Sequence, residues 1–69
     1  MQTTAAPYVL VGQRDPLVTR VRVVLNMLGS DELDRPLAEV LRGIQRANHL
    51  PVTGDLDEGT LVALDMTAH

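Results

Sequence analysis

A short motif occurs twice in this chain of 69 residues, 23 positions apart, and it constrains the fold more than any other feature. The first copy is "SDELDRPLAEVLR" (30–42) and the second is "TGDLDEGTLVALD" (53–65). Each copy has a hydroxyl residue, an acid two places on, the pair Leu-Asp, and then an apolar run. The matched pairs are Ser30 with Thr53, Glu32 with Asp55, Leu33 with Leu56, and Asp34 with Asp57. The sequence therefore predicts two copies of one turn-and-helix unit.

The first helix is predicted over residues 16–28. Asp15-Pro16 is a helix start, because Asp accepts hydrogen bonds from free amides and Pro is preset for the first helical position. Apolar residues then recur at helical spacing, and Gly29 is expected to end the helix. Val23 and Met27 form a second apolar stripe, which widens the apolar face beyond what one neighbouring helix could cover.

Two further helices are predicted over 36–48 and 58–66. Arg35-Pro36 marks the second start, since the residue before Pro avoids helical angles, and Asp57 is expected to cap the third helix. The predicted fold class is all-α, a three-helix bundle over residues 15–69. The residues expected to be buried together are Leu25, Leu41, Ile44, Leu56 and Leu64.

Residues 1–14 are predicted to form an extended N-terminal arm. Its segment Tyr8-Val9-Leu10-Val11 is β-prone but has no partner strand in the sequence. The segment could lie across the helices, or Tyr8, Val9, Leu10 and Val11 could dock on another subunit. We expect docking, with an added strand as one form of it.

Composition excludes several function classes. The net charge of −3 disfavours nucleic-acid binding, which depends on neutralising phosphates. There is no cysteine, and His49 and His69 are the only histidines, so we expect no disulfide, metal site or cofactor. No segment is long and apolar enough to span a membrane. With no signal peptide, the chain as written is expected to be cytoplasmic.

Catalysis is not expected either. The acids Asp31, Glu32 and Asp34 are clustered, but a loop of acids in an acidic protein is usually solvated or capping. Ser30 has no adjacent histidine to activate it.

Residues 15–66 resemble the small three-helix peptidoglycan-binding domains. The most specific matches are Ile44-Gln45 and the spaced set Thr53-Gly54, Thr60 and Ala63-Leu64. Matches in the first helix are Val18, Val21, Leu25, Leu28 and Gly29, with Arg22 where the family has Gln. The resemblance implies the family's fold and a possible ligand groove at Gln45, Thr60 and Leu61. The chain departs from the pattern at Leu37, where the family has Thr, at Leu61, where Trp is common, and at loop glycines replaced by Asp31, Asp34 and Asp57.

The resemblance leaves two functions open. Sugar-binding surfaces commonly offer aromatic rings, and Tyr8 is the only aromatic residue here. We therefore expect a non-enzymatic docking subunit on a large assembly, with contacts anchoring both chain ends. The favoured assembly is a bacteriophage virion, with the chain as a minor structural or capsid-decoration protein. The alternative is a peptidoglycan-binding module, located at the cell wall if it is part of a processed exported protein.

Overall fold

The computed structural model describes residues 6–66, which fold into three helices. These are α1 (Pro16–Val24), α2 (Arg35–Ala47) and α3 (Glu58–Ala63). The only β pairing within 6–66 is two isolated antiparallel bridges, so no sheet forms there. The all-α prediction is confirmed. No helix in this part of the chain has the length and apolarity that a bilayer crossing requires.

Each helix begins after an aspartate whose side chain accepts a backbone amide. Asp15 accepts the amide of Leu17, Asp34 that of Leu37, and Asp57 that of Thr60. These bonds satisfy amides that have no partner within the helix. The predicted starts are correct to within one residue, because α2 begins at Arg35 instead of 36.

The helices end earlier than the sequence predicts. The chain leaves each helix through a residue with positive φ, which is Asn26 (56°), His49 (59°) or Asp65 (59°). The amide of the next residue then bonds five positions back, with N–O distances of 2.8, 2.8 and 2.9 Å. This is the Schellman arrangement. Gly29 therefore does not end α1, and Leu28 is not helical.

The core is aliphatic and lies between the helices and the loops before them. Leu41 and Leu56 are fully buried, as predicted. Leu25, Ile44 and Leu64 are only partly buried, and they pack against the edge of the core. The buried apolar cluster consists of Val9, Val18, Val21, Leu33, Leu37, Leu41, Leu56 and Leu61.

The arm lies against its own chain, which is one of the two arrangements that the sequence left open. Val9 is 1% exposed and forms a two-way backbone bridge with Leu56. Further along, the amide of Gly12 donates to the carbonyl of Leu33 at 2.8 Å, and the amide of Leu33 donates to Gln13 at 2.8 Å. The arm thus forms backbone hydrogen bonds with Leu33 and Leu56, which are equivalent positions of the two repeat units.

The same contacts remove the reason to expect an added strand. The amide of Leu10 donates to the Gln13 side chain, and that of Val11 donates to Asp55, both at 2.9 Å. With the amides of Tyr8 and Val9 bonded to Leu56, the segment has no row of free donors. The expected anchoring of Met1 and His69 lies outside the described residues.

Candidate functional site

The residues expected to line a ligand groove lie in the interior. Gln45 and Thr60 are fully buried, and Leu61 is 7% exposed. The groove interpretation is therefore corrected for all three residues. Polar side chains at these positions would have to be exposed to contact a ligand, and here they bond to the protein itself.

Gln45 holds the second loop through four hydrogen bonds. Its Oε1 accepts the amides of Thr53 (2.9 Å) and Gly54 (3.0 Å). Its Nε2 donates to the carbonyl of Asp55 (3.0 Å) and to Thr60 Oγ1 (2.9 Å). Gln45 thus joins α2, the loop and α3, and its side-chain oxygen and nitrogen are both fully engaged.

Arg22 supports the first loop in the same way, and its position is 23 residues before Gln45. Its side chain is almost fully buried and donates to the carbonyls of Ser30 (2.7 Å), Glu32 (2.8 Å) and Leu28 (3.3 Å). The carbonyls of Glu32 and Asp55 are equivalent positions of the repeat. The sequence analysis missed this role, although the repeat spacing and the Gln position of the resembled family both pointed to it.

The two units differ in how the polar residue reaches the helix cap. In the second unit, the Thr60 hydroxyl links Gln45 to the capping carboxylate of Asp57, to which it donates at 2.6 Å. In the first unit the equivalent residue is Leu37, which has no hydroxyl. There Arg22 contacts the capping carboxylate of Asp34 directly at 3.1 Å. The pair Arg22 and Leu37 in the first unit thus occupies the positions that Gln45 and Thr60 occupy in the second unit.

The Asp34 carboxyl has a pKa below its ordinary value. The first cause is the hydrogen bond from the Leu37 amide, and the neighbouring Arg22 guanidinium adds to it against an opposing effect of burial. The carboxylate therefore stays charged in the folded protein, where it caps α2. Its contribution to stability is complete above the ordinary Asp pKa and is lost as the pH falls through the lower folded value.

Exchanging the first unit's residues for those of the second is expected to show energetic coupling. Arg22→Gln should lower the free energy of unfolding by about 2–3 kcal/mol, because loop carbonyls lose donors. Most of this loss comes from the carbonyls, since Asp34 is partly exposed and its ion pair is screened by water. Leu37→Thr should cost about 2 kcal/mol through lost apolar burial.

In the double variant, the threonine hydroxyl introduced at position 37 can accept from the glutamine introduced at position 22, as Thr60 accepts from Gln45. We therefore expect the combined loss to be smaller than the sum of the single losses by about 1 kcal/mol or more. Urea denaturation followed by circular dichroism measures all four proteins of the cycle. Strict additivity would show that the two units are not interchangeable.

The clustered acids form ion pairs on the surface. Arg14 lies 2.9 Å from Asp31 and 3.6 Å from Glu32, and all three side chains are well exposed. No group of three or more acids, histidines or cysteines able to hold a metal ion occurs within the described residues. His49 serves as the positive-φ residue after α2.

The outer side of α1 carries an exposed aliphatic surface. Val23 is 75% exposed, Val24 is 51% exposed, and Leu28 in the following loop is 99% exposed. Arg20 lies three and four residues before the two valines, so it adjoins them on the helix, and it forms no ion pair within residues 6–66. We call these four residues the α1 surface. Val23 belongs to the second apolar stripe of the sequence, but the other member of that stripe, Met27, packs against the core.

A second exposed surface lies where the arm meets α3. Tyr8 is 54% exposed, and its hydroxyl donates to Glu58 Oε1 at 2.6 Å, which raises the pKa of Tyr8. Val62, 56% exposed, follows Glu58 by one helical turn. We call Tyr8, Glu58 and Val62 the α3 surface. Leu10 and Val11 of the arm are also exposed, at 44% and 42%.

No protein-family model, curated protein or solved structure matches this chain.

Proposed function

We propose that this chain is a non-enzymatic docking module, built on a peptidoglycan-binding-like three-helix fold, that attaches to a larger protein assembly through its α1 surface. The observation that carries the proposal is the exposure of Leu28, at 99%, next to an α1 end on which Val23 is 75% exposed. Single exposed aliphatic residues are common, but several within six residues are typical of a surface that a partner covers.

The chemistry of the surface favours a protein partner over a sugar. Val23, Val24 and Leu28 offer aliphatic side chains that pack against other aliphatic groups and donate no hydrogen bonds. The polar residues matched to the wall-binding family, Gln45 and Thr60, are committed to the interior. Aromatic and polar groups for stacking and hydrogen bonding with sugar rings are thus scarce on this surface.

The non-enzymatic part of the proposal is supported by the state of the polar groups. Within residues 6–66, every buried side-chain nitrogen and oxygen has a hydrogen-bond partner. The exposed acids Asp31 and Glu32 are paired with Arg14. Such groups stabilise loops, and their bonding capacity is used within the chain.

The assembly we propose is a bacteriophage virion, in which the chain is a minor structural or capsid-decoration protein. A small module with an aliphatic docking surface is suited to attachment to a preformed protein lattice. The test is mass spectrometry of purified virions assembled with the wild-type chain or with the Val23→Ser, Leu28→Ser variant. We expect the variant to be lost from the particles, with Val52→Ser, an exposed valine elsewhere, as the matched control.

Retention of the double variant at the wild-type level would overturn docking through the α1 surface. Absence of the wild-type chain from virions would overturn the virion proposal itself. Circular dichroism of each variant checks that the helices are intact.

Peptidoglycan binding is the alternative, and the resemblance over residues 15–66 is what favours it. Purified protein is expected to pellet weakly or not at all with isolated peptidoglycan sacculi. Saturable pelleting that Val52→Ser leaves unchanged and that substitution of Tyr8 by Ala abolishes would favour the wall-binding function instead, because Tyr8 is the exposed aromatic ring.

A further inference from the structure

The two exposed surfaces of this chain have opposite charge. Residues 16–30, which include α1, contain no acid, and their exposed charge is Arg20. Residues 47–66, which include α3, contain the acids Asp55, Asp57, Glu58 and Asp65 and no lysine or arginine. Aliphatic side chains adjoin the charge on both surfaces. Each surface therefore has the composition that the other would recognise.

The spacing of the groups also matches. Arg20 precedes Val23 and Val24 by three and four residues, and Glu58 precedes Val62 by four. If the two helices lie side by side in parallel, one helical turn brings Arg20 beside Glu58 and the valines beside Val62. Tyr8, bonded to Glu58, adds an exposed ring on which a guanidinium can stack.

From this complementarity we infer that the α1 surface of one copy binds the α3 surface of a second copy. The inference rests on the proposed docking role of the α1 surface and names its partner. The contact is heterologous, since different surfaces meet, and each added copy leaves one surface of each kind free. Copies therefore join head to tail in a row, and the copy at one end keeps a free α1 surface that can attach to the larger assembly. The contact is small, so the association is weak, and it is weakened by salt.

Sedimentation velocity of the purified chain, from low micromolar to millimolar concentration, tests the inference. We expect the sedimentation coefficient to rise with concentration and to fall when salt is added. Arg20→Glu and Glu58→Arg should each weaken self-association about tenfold, because like charges then face each other. Arg46→Glu is the matched control on α2, where another exposed arginine has no ion-pair partner within residues 6–66.

A mixture of the two single variants gives the most specific test. The glutamate introduced at position 20 of one variant then faces the arginine introduced at position 58 of the other. The second variant also keeps Arg20 and the first keeps Glu58, so both contacts between unlike variants are complementary. The mixture should therefore associate at concentrations where each variant alone is monomeric. Tyr8→Phe separates loss of the Tyr8–Glu58 hydrogen bond from loss of the charge, and it should leave self-association nearly unchanged.

A wild-type chain that stays monomeric at every concentration, or a mixture that fails to associate, would overturn this inference. If the virion test still shows that Leu28→Ser with Val23→Ser is lost from particles, only the second-copy partner is wrong. If neither surface variant changes retention or self-association, the docking function is wrong as well.

Discussion

Replacing Gln45 with methionine is expected to destabilise the fold more than any other polar substitution in the chain. Methionine keeps the length and apolar stem of the side chain but removes four hydrogen bonds. The amide of Gly54 then loses its acceptor in a buried site, and that of Thr53 loses its acceptor in a partly buried one. A buried group left without a partner costs about 1–3 kcal/mol. We expect a total loss of about 3–5 kcal/mol in the free energy of unfolding.

Such a loss is large for a domain of this size, whose stability is about 0.05–0.15 kcal/mol per residue. Gln45→Met should therefore be partly unfolded near room temperature, as seen in the helical circular dichroism signal during urea titration. Gln13→Met is the matched control, because the Gln13 side chain makes one exposed hydrogen bond, and its substitution should cost less than about 1 kcal/mol. Equal midpoints for the two variants would contradict the role assigned to Gln45.

Leu41→Ala is expected to cost about 2–5 kcal/mol, the second of the two largest effects. Leu41 has no exposed surface and belongs to the central apolar cluster, so its truncation leaves a cavity among residues that cannot fully close around it. Thermal unfolding followed by circular dichroism should show a melting temperature lower by about ten degrees or more, the order of shift for a domain of this length.

Two neighbours in α2 calibrate the effect of Leu41→Ala. Val40 is 39% exposed, and Val40→Ala should change stability by less than about 1 kcal/mol. Ile44 is partly buried at the edge of the core, so Ile44→Ala should fall between the two. Any other order among Val40, Ile44 and Leu41 would show that the core is centred elsewhere.

Local chemistry explains which parts of the fold were predictable. The three helix starts follow from aspartates whose carboxylates accept amides two or three residues ahead, a contact within one turn of chain. The burial of Leu33 and Leu56 follows from their place in the repeat. The helix ends were less predictable, because Asn26, His49 and Asp65 take a positive φ that glycine adopts more readily.

The candidate site was less predictable than the fold. A sequence pattern that marks Gln45 and Thr60 as specific does not say whether their polar atoms face water or the interior. Their specificity comes from bonding to each other and to the second loop. The apolar spacing of the first helix did not predict that Leu28 and Val23 are exposed, because their exposure depends on where the rest of the chain packs.

The three helices, their N-terminal aspartate caps and the repeat of 23 residues follow from the amino-acid sequence alone, since they depend on contacts between near neighbours and on apolar spacing. The folded arrangement was needed to establish that Val9 belongs to the core, that Arg22 and Gln45 are equivalent interior supports, and that Leu28 lies in water. Each of these outcomes depends on which distant group competes with water for the side chain or its backbone. In the arm, the backbone of Val9 bonds to that of Leu56, 47 positions further along the chain, and not to water.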